Sequence, residues 1–111
     1  MKDTITYPDF EKLDLRVGEV IAASVPEWSK KLIELKVNFG SKIGEKTILS
    51  GVKQWYAAED FINKKFIFIV NLAERKMGES VSQGMMLMVD AAEKPMPIEL
   101  DVNSQVGDAI R

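Results

Sequence analysis

Between residues 33 and 39 the chain alternates without exception: Ile33, Leu35, Val37 and Phe39 are apolar, and Glu34, Lys36 and Asn38 between them are polar. Successive side chains of a strand point to opposite faces, so this stretch is a strand with one buried face and one wet face. Gly40-Ser41-Lys42-Ile43-Gly44-Glu45 has the residues of a hairpin connection, after which Lys46 to Val52 returns as the next strand. The pattern to this point is a meander.

The preceding strand carries a different signal. From Leu13 the apolar residues fall on odd positions (Leu13, Leu15, Val17) and then, across Gly18-Glu19, on even ones (Val20, Ala22). A glycine at such an exchange predicts a bulge or sharp bend. A strongly coiled first strand of this kind suits a small closed barrel.

The rest of the chain fills in around these strands. Pro8 to Leu13 reads as one helical turn, and Val25 to Lys31 as a loop. Gln54 to Asn63 places Trp55, Tyr56, Ala57, Ala58, Phe61 and Ile62 at spacings of three and four, which predicts a short helix. Lys64 to Val70 is a fourth, buried strand, Asn71 to Ser82 a polar, basic-tinged loop, and Gly84 to Val89 a fifth strand. In the tail, punctuated by Pro95, Pro97 and Gly107, Pro97 to Leu100 reads as a short edge strand. The expected fold is all-β: a five-stranded OB-fold barrel with a short N-terminal helix, a short helix between strands 3 and 4, and a C-terminal β extension. An SH3-like barrel has a similar strand count but lacks the inserted helix. The 111 residues are expected to form one domain, with a core over residues 13–90 and an extension over 91–111.

Composition narrows the chemistry. The chain has no Cys and no His, which removes thiolate nucleophiles, Cys-based zinc sites and the commonest general base. No Gly-rich phosphate loop or metal-ligand spacing is present, and Glu59-Asp60 point in different directions on a helix, as an exposed face does. A binding protein without catalysis, cofactor or metal is expected. Met1 to Phe10 has no apolar core like that of a signal peptide, and no run approaches the roughly 20 apolar residues of a membrane span, so the expected location is the cytoplasm. A net charge of −2 supplies no bulk positive field, so any nucleic acid must be held by a local basic patch.

Several phrases then read together: Asp9-Phe10-Glu11-Lys12-Leu13-Asp14-Leu15-Arg16-Val17-Gly18, Lys31-Leu32, Ser50-Gly51-Val52-Lys53-Gln54-Trp55-Tyr56, Asn71-Leu72, Arg75-Lys76-Met77 and Ser82-Gln83-Gly84-Met85-Met86-Leu87. In order and spacing they closely resemble the EMAP-II-like tRNA-binding domain. That family includes free-standing proteins, domains of methionyl- and phenylalanyl-tRNA synthetases, and the CsaA-like chaperones. The resemblance covers nearly the whole chain. It implies an OB-fold without its own active site, tRNA bound by shape, an aminoacyl-tRNA synthetase as a possible partner, and a homodimer. Where the family often continues Arg-Gly after Arg75-Lys76-Met77, this chain has Gly78 and Glu79.

The candidate tRNA-binding residues follow. Arg75 and Lys76 are suited to phosphates, Asn71 offers donor and acceptor, and the alternative for the two cations is pairing with Glu74 and Glu79. Ser82, Gln83 and Met85 open the fifth strand with a hydroxyl, an amide and a flexible thioether able to meet ribose, base edge and base face. Lys30 and Lys31, in the loop before the second strand, and Lys53, in the turn after the third, are candidates to extend the basic face. Of the two rings able to stack on a base, Trp28 is expected to be exposed and Trp55 to pack in the inserted helix. Arg16, inside a strand, is expected to pair with Asp14 or a tail carboxylate, or else to meet RNA. Met86, Leu87 and Val89 are expected in the core. The tail's Ile98, Leu100, Val102, Val106 and Ile110, with an edge strand over Ile98 to Val102, are the expected dimer surface. The alternative function is that of a CsaA-like chaperone holding unfolded polypeptide, which an exposed patch near Met85 and Trp28 favours.

Overall fold

The computed structural model describes residues 1–111. A short helix α1 (Tyr7–Glu11) precedes β1 (Leu15–Ser24), β2 (Ile33–Asn38) and β3 (Glu45–Ser50). A single 3-10 turn (Ala58–Asp60) leads to β4 (Lys65–Ile69), then come β5 (Arg75–Met77), β6 (Ser80–Ser82), β7 (Met85–Met86), β8 (Met88–Asp90), β9 (Pro95–Pro97) and β10 (Ala109–Ile110). The main sheet runs β3-β2-β1-β4-β7, with antiparallel neighbours throughout. Its two ends approach each other. Gln83 N–H donates to Thr47 O at 2.8 Å and Leu49 N–H donates to the Ser82 hydroxyl at 3.0 Å, so β3 is tied to the segment entering β7. The result is the nearly closed five-stranded, OB-like barrel expected from the alternation.

The alternating strand is buried as its sequence dictates: Ile33, Leu35, Val37 and Phe39 line the interior while Lys36 is exposed. Phe39 meets Phe68 edge to face, with ring centroids 5.3 Å apart, and Val20, Ile48, Phe61, Phe66 and Met86 complete the core. Of the three apolar residues expected beside it at the end of the fifth strand, Met86 is buried and Leu87 half-buried, but Val89 is 46% exposed. That strand breaks after Met86, and Val89 belongs to the separate β8–β9 ribbon.

The face exchange in β1 has a different cause from the bulge expected at Gly18-Glu19. Pairing with β4 runs regularly through Val17, Gly18 and Glu19, and the register slips later, at Ile21 between Val20 and Ala22. Gly18 faces inward. A Cβ there would lie 2.6 Å from Val37 Cγ1, 2.7 Å from Phe39 Cε1 and 2.8 Å from Phe68 Cδ1, so the neighbours occupy the space a side chain would need. Val17, on the other face, is buried too, and its backbone pairs with the tail at the strand edge, where its N–H donates to Asp108 O at 2.9 Å and its carbonyl accepts from Gly107 N–H at 2.8 Å. Side chains on both faces of β1 are thus buried around Gly18, and the irregularity of the strand lies at Ile21 rather than at Gly18-Glu19.

The tail completes the barrel. β2 pairs with the second half of β1, and β10 with Leu15 and Arg16 at its start. The edge strand expected over Pro97 to Leu100 lies two residues earlier, as β9 against β8, while Leu100 N–H donates to Lys65 O at 2.9 Å. The inserted helix contracts to its one turn because Trp55 and Tyr56 N–H both return to Val52 O and Ala57 is extended. No helix is long and apolar enough to cross a membrane.

Candidate nucleic-acid interface

Within residues 71–82, expected to be a loop, residues 75–82 fold into a hairpin. β5 and β6 pair Arg75 with Ser82, Lys76 with Val81 and Met77 with Ser80, and Gly78-Glu79 make the two-residue turn. Strands of three residues carry too few positions to show a period, which is why the sequence reads as irregular there. β5 has no neighbour but β6, so Arg75 and Lys76 stand exposed on a free outer edge. Neither makes an ion pair: Glu74 accepts from Gln83 Nε2 at 3.3 Å, and the chain's two ion pairs are Lys12–Asp9 and Arg16–Asp14.

The hairpin is fastened to the barrel along its length. At its root, Gln83 Oε1 accepts from Thr47 N–H at 2.9 Å, and the Ser82 hydroxyl, 5% exposed, accepts from Leu49 N–H and donates to Gly84 O. Higher up, the Ser80 hydroxyl donates to Glu34 Oε1 at 2.6 Å, joining β6 to β2. At the tip the Trp28 indole lies against Gly78. These ties climb towards the N-terminal end of β2, where the chain enters from Lys30 and Lys31. Lys53 is there too, since its N–H donates to Lys31 O at 3.2 Å. Lys30, Lys31 and Lys53 thus lie together at the start of β2, while Arg75 and Lys76 lie on β5, opposite Ser82 and Val81. Lys30 and Lys31 are exposed and Lys53 half-buried.

The remaining candidates lie elsewhere or are engaged internally. Asn71, past the end of β4, accepts from Asp14 N–H at 2.9 Å and donates to Lys12 O at 2.7 Å, pinning the segment after α1. Met85, opposite Ile69 in β7, is 47% exposed. Arg16 donates to Asp14 at 2.6 Å and to Gly107 O at 3.1 Å, so the paired role is the observed one, with a backbone carbonyl in place of a tail carboxylate. The two tryptophans exchange their expected places: Trp28 is half-buried, whereas Trp55 is 39% exposed. Trp28 therefore adds no exposed ring to a patch with Met85. Glu34 and Ser80 were missed from sequence, and each is an ordinary surface-type residue whose partner lies far along the chain.

Set against known proteins, residues 15–109 match the family described as "Putative tRNA binding domain". The chain belongs to this tRNA-binding domain family. Among curated relatives, the methionine–tRNA ligase of Christiangramia forsetii is 45% identical over 92 residues, covering 83% of this chain and 13% of the ligase. The ligase of Clostridium acetobutylicum is 38% identical over 106 residues, covering 96% of the chain and 16% of the ligase. The family domain seen here thus spans between about an eighth and a sixth of these enzymes' length. Of solved structures, a methionyl-tRNA-synthetase-related protein from Pyrococcus horikoshii superposes with a TM-score of 0.93 at 32% identity, covering 99% of this chain and all of the other. The CsaA chaperone protein of Picrophilus torridus gives a TM-score of 0.88 at 29% identity, over 97% of this chain and all of the other.

Proposed function

We propose that the chain is a non-catalytic module that binds folded tRNA by its shape and phosphate backbone, as an accessory to or part of a methionyl-tRNA synthetase, working in the cytoplasm. The observation that carries this reading is membership of a tRNA-binding family, and exposed Lys30, Lys31, Arg75 and Lys76 that make no ion pair support it. A chain of net charge −2 repels a polyanion on average, so attraction has to be local. Lys30, Lys31, Lys53, Arg75 and Lys76 supply that attraction, Met85 offers an exposed thioether, Ser82 and Gln83 hold the hairpin that carries Arg75 and Lys76, and Asn71 orders the segment after α1. The protein acts as a homodimer, for which the exposed apolar pair Val89 and Met96, directly opposite each other on β8 and β9, is the natural surface.

The structural likeness to a CsaA chaperone, with Met85 exposed, supports a second reading in which unfolded polypeptide is the ligand. Equilibrium titration separates the two. The full chain is expected to bind a folded tRNA transcript and to leave a reduced, carboxymethylated polypeptide unbound; capture of the polypeptide with no tRNA binding would establish the chaperone reading instead.

A further inference from the structure

Trp28 and Gly78 are shaped for each other. Gly78 opens the turn of the β5–β6 hairpin at φ +61°. A methyl group built on it would overlap Trp28 Cζ3 and Cε3 and stand 2.9 Å from Cη2. The indole therefore rests on bare backbone, in space that any other residue at 78 would fill. From its own side the tryptophan's loop is braced as it turns into β2, where the Ser29 hydroxyl accepts from both Lys31 and Leu32 N–H at 3.2 Å. The hairpin is fixed to β3 at its root and to β2 at mid-height, but its tip is held by this ring.

We infer that Trp28 and Gly78 form a clasp that positions the hairpin, so that its outer strand, which carries Arg75 and Lys76 on alternate faces, is held where a nucleic acid also meets Lys30 and Lys31. The inference rests on the tRNA-binding reading above. Without the ring, the turn and the outer strand β5, which pairs with β6 alone, are held only through the bonds of β6, and binding must then first order them. Holding the loops in place beforehand removes that cost. Trp28 acts here as a positioning residue: its half-buried ring is spent on the glycine rather than offered to a base.

The test uses the full chain and the variants Trp28→Ala, Trp28→Phe and Gly78→Asn. Three quantities are followed: amide hydrogen exchange, tRNA affinity, and the slope of log affinity against log salt. Trp28→Ala is expected to speed exchange at residues 75–82 about tenfold while β1 to β4 stay protected, because local opening becomes easier without global unfolding. It is also expected to weaken tRNA binding roughly three- to tenfold and to flatten the salt slope as Arg75 and Lys76 leave the contact. Trp28→Phe, which keeps a ring over the glycine, restores most of both. Asn tolerates the left-handed φ, so Gly78→Asn is harmful through its side chain; it should harm the parent but cost almost nothing added to Trp28→Ala. Unchanged hairpin exchange in Trp28→Ala overturns the clasp. Faster exchange with affinity and slope unchanged overturns its positioning role. If the parent protein binds no tRNA, it is the functional reading that falls, and hydrogen exchange alone then decides the clasp.

Discussion

Ser82 shows how a polar residue expected at a binding surface can be consumed by the fold. Its hydroxyl accepts from Leu49 N–H and donates to Gly84 O within the protein, so Ser82→Ala leaves a buried N–H without a partner. The expected loss is about 1–3 kcal/mol, measured as a lower urea midpoint with an unchanged slope. Gly18→Ala tests the opposite fault. Its methyl group would enter space already held by Val37, Phe39 and Phe68, and overpacking of this kind costs about 1–3 kcal/mol or more, again read from denaturant unfolding. At this scale the sequence discloses chemistry but not partners. Asn71 and Gln83 are recognisable as donors and acceptors, yet the backbone they satisfy lies 57 and 36 residues away. The exchanged roles of Trp28 and Trp55 have the same origin, because the glycine that accommodates Trp28 is remote in sequence and no local signal marks it.

Among the elements, β2 was the most legible because its pattern has a single solution. Four alternating apolar residues can enter the core together only as a strand, and Leu35 is fully buried while its neighbour Lys36 is exposed. Leu35→Ala should therefore destabilise by about 2–5 kcal/mol, whereas Lys36→Ala should stay within about 0.5 kcal/mol, both by thermal or urea unfolding. The order of strands, the N-terminal helix and the insertion before β4 were likewise readable from period and punctuation. The β5–β6 hairpin was not, since its strands are too short for periodicity and its fastening is tertiary: Ser80 to Glu34, Gln83 to Thr47, Trp28 to Gly78. The bulge in β1 was placed at the glycine because sequence shows a change of buried face without showing what covers each face. Gly18 marks a close approach inside, Val17 is buried on the opposite face, and the register slips only at Ile21.

For the whole molecule, the tail is part of the barrel and also frames a surface. It donates to and accepts from Val17, takes the Arg16 guanidinium on Gly107 O, and receives Lys65 Nζ on Val102 O and Ser104 O at 3.0 and 2.6 Å. Deleting it would unmake the fold, so the dimer is better tested by a charge on the exposed ribbon. Light scattering is expected to give about twice the 12.5 kDa chain mass for the parent and the single-chain mass for Met96→Glu. A parent at 12.5 kDa would refute the dimer, and a dimer that survives Met96→Glu would place its interface elsewhere. Two copies would bring two basic rims to one L-shaped RNA, raising avidity beyond that of either rim. The rim itself is the central claim, and the salt dependence of tRNA binding tests it most directly. Each phosphate neutralised contributes a slope of about 0.9 in log affinity against log salt, so five basic side chains set a ceiling near 4.5 per protomer, and Arg75→Glu with Lys76→Glu should lower it by about 2. The account predicts weaker binding and that flatter slope in the double variant; affinity and slope equal to the parent's would contradict it.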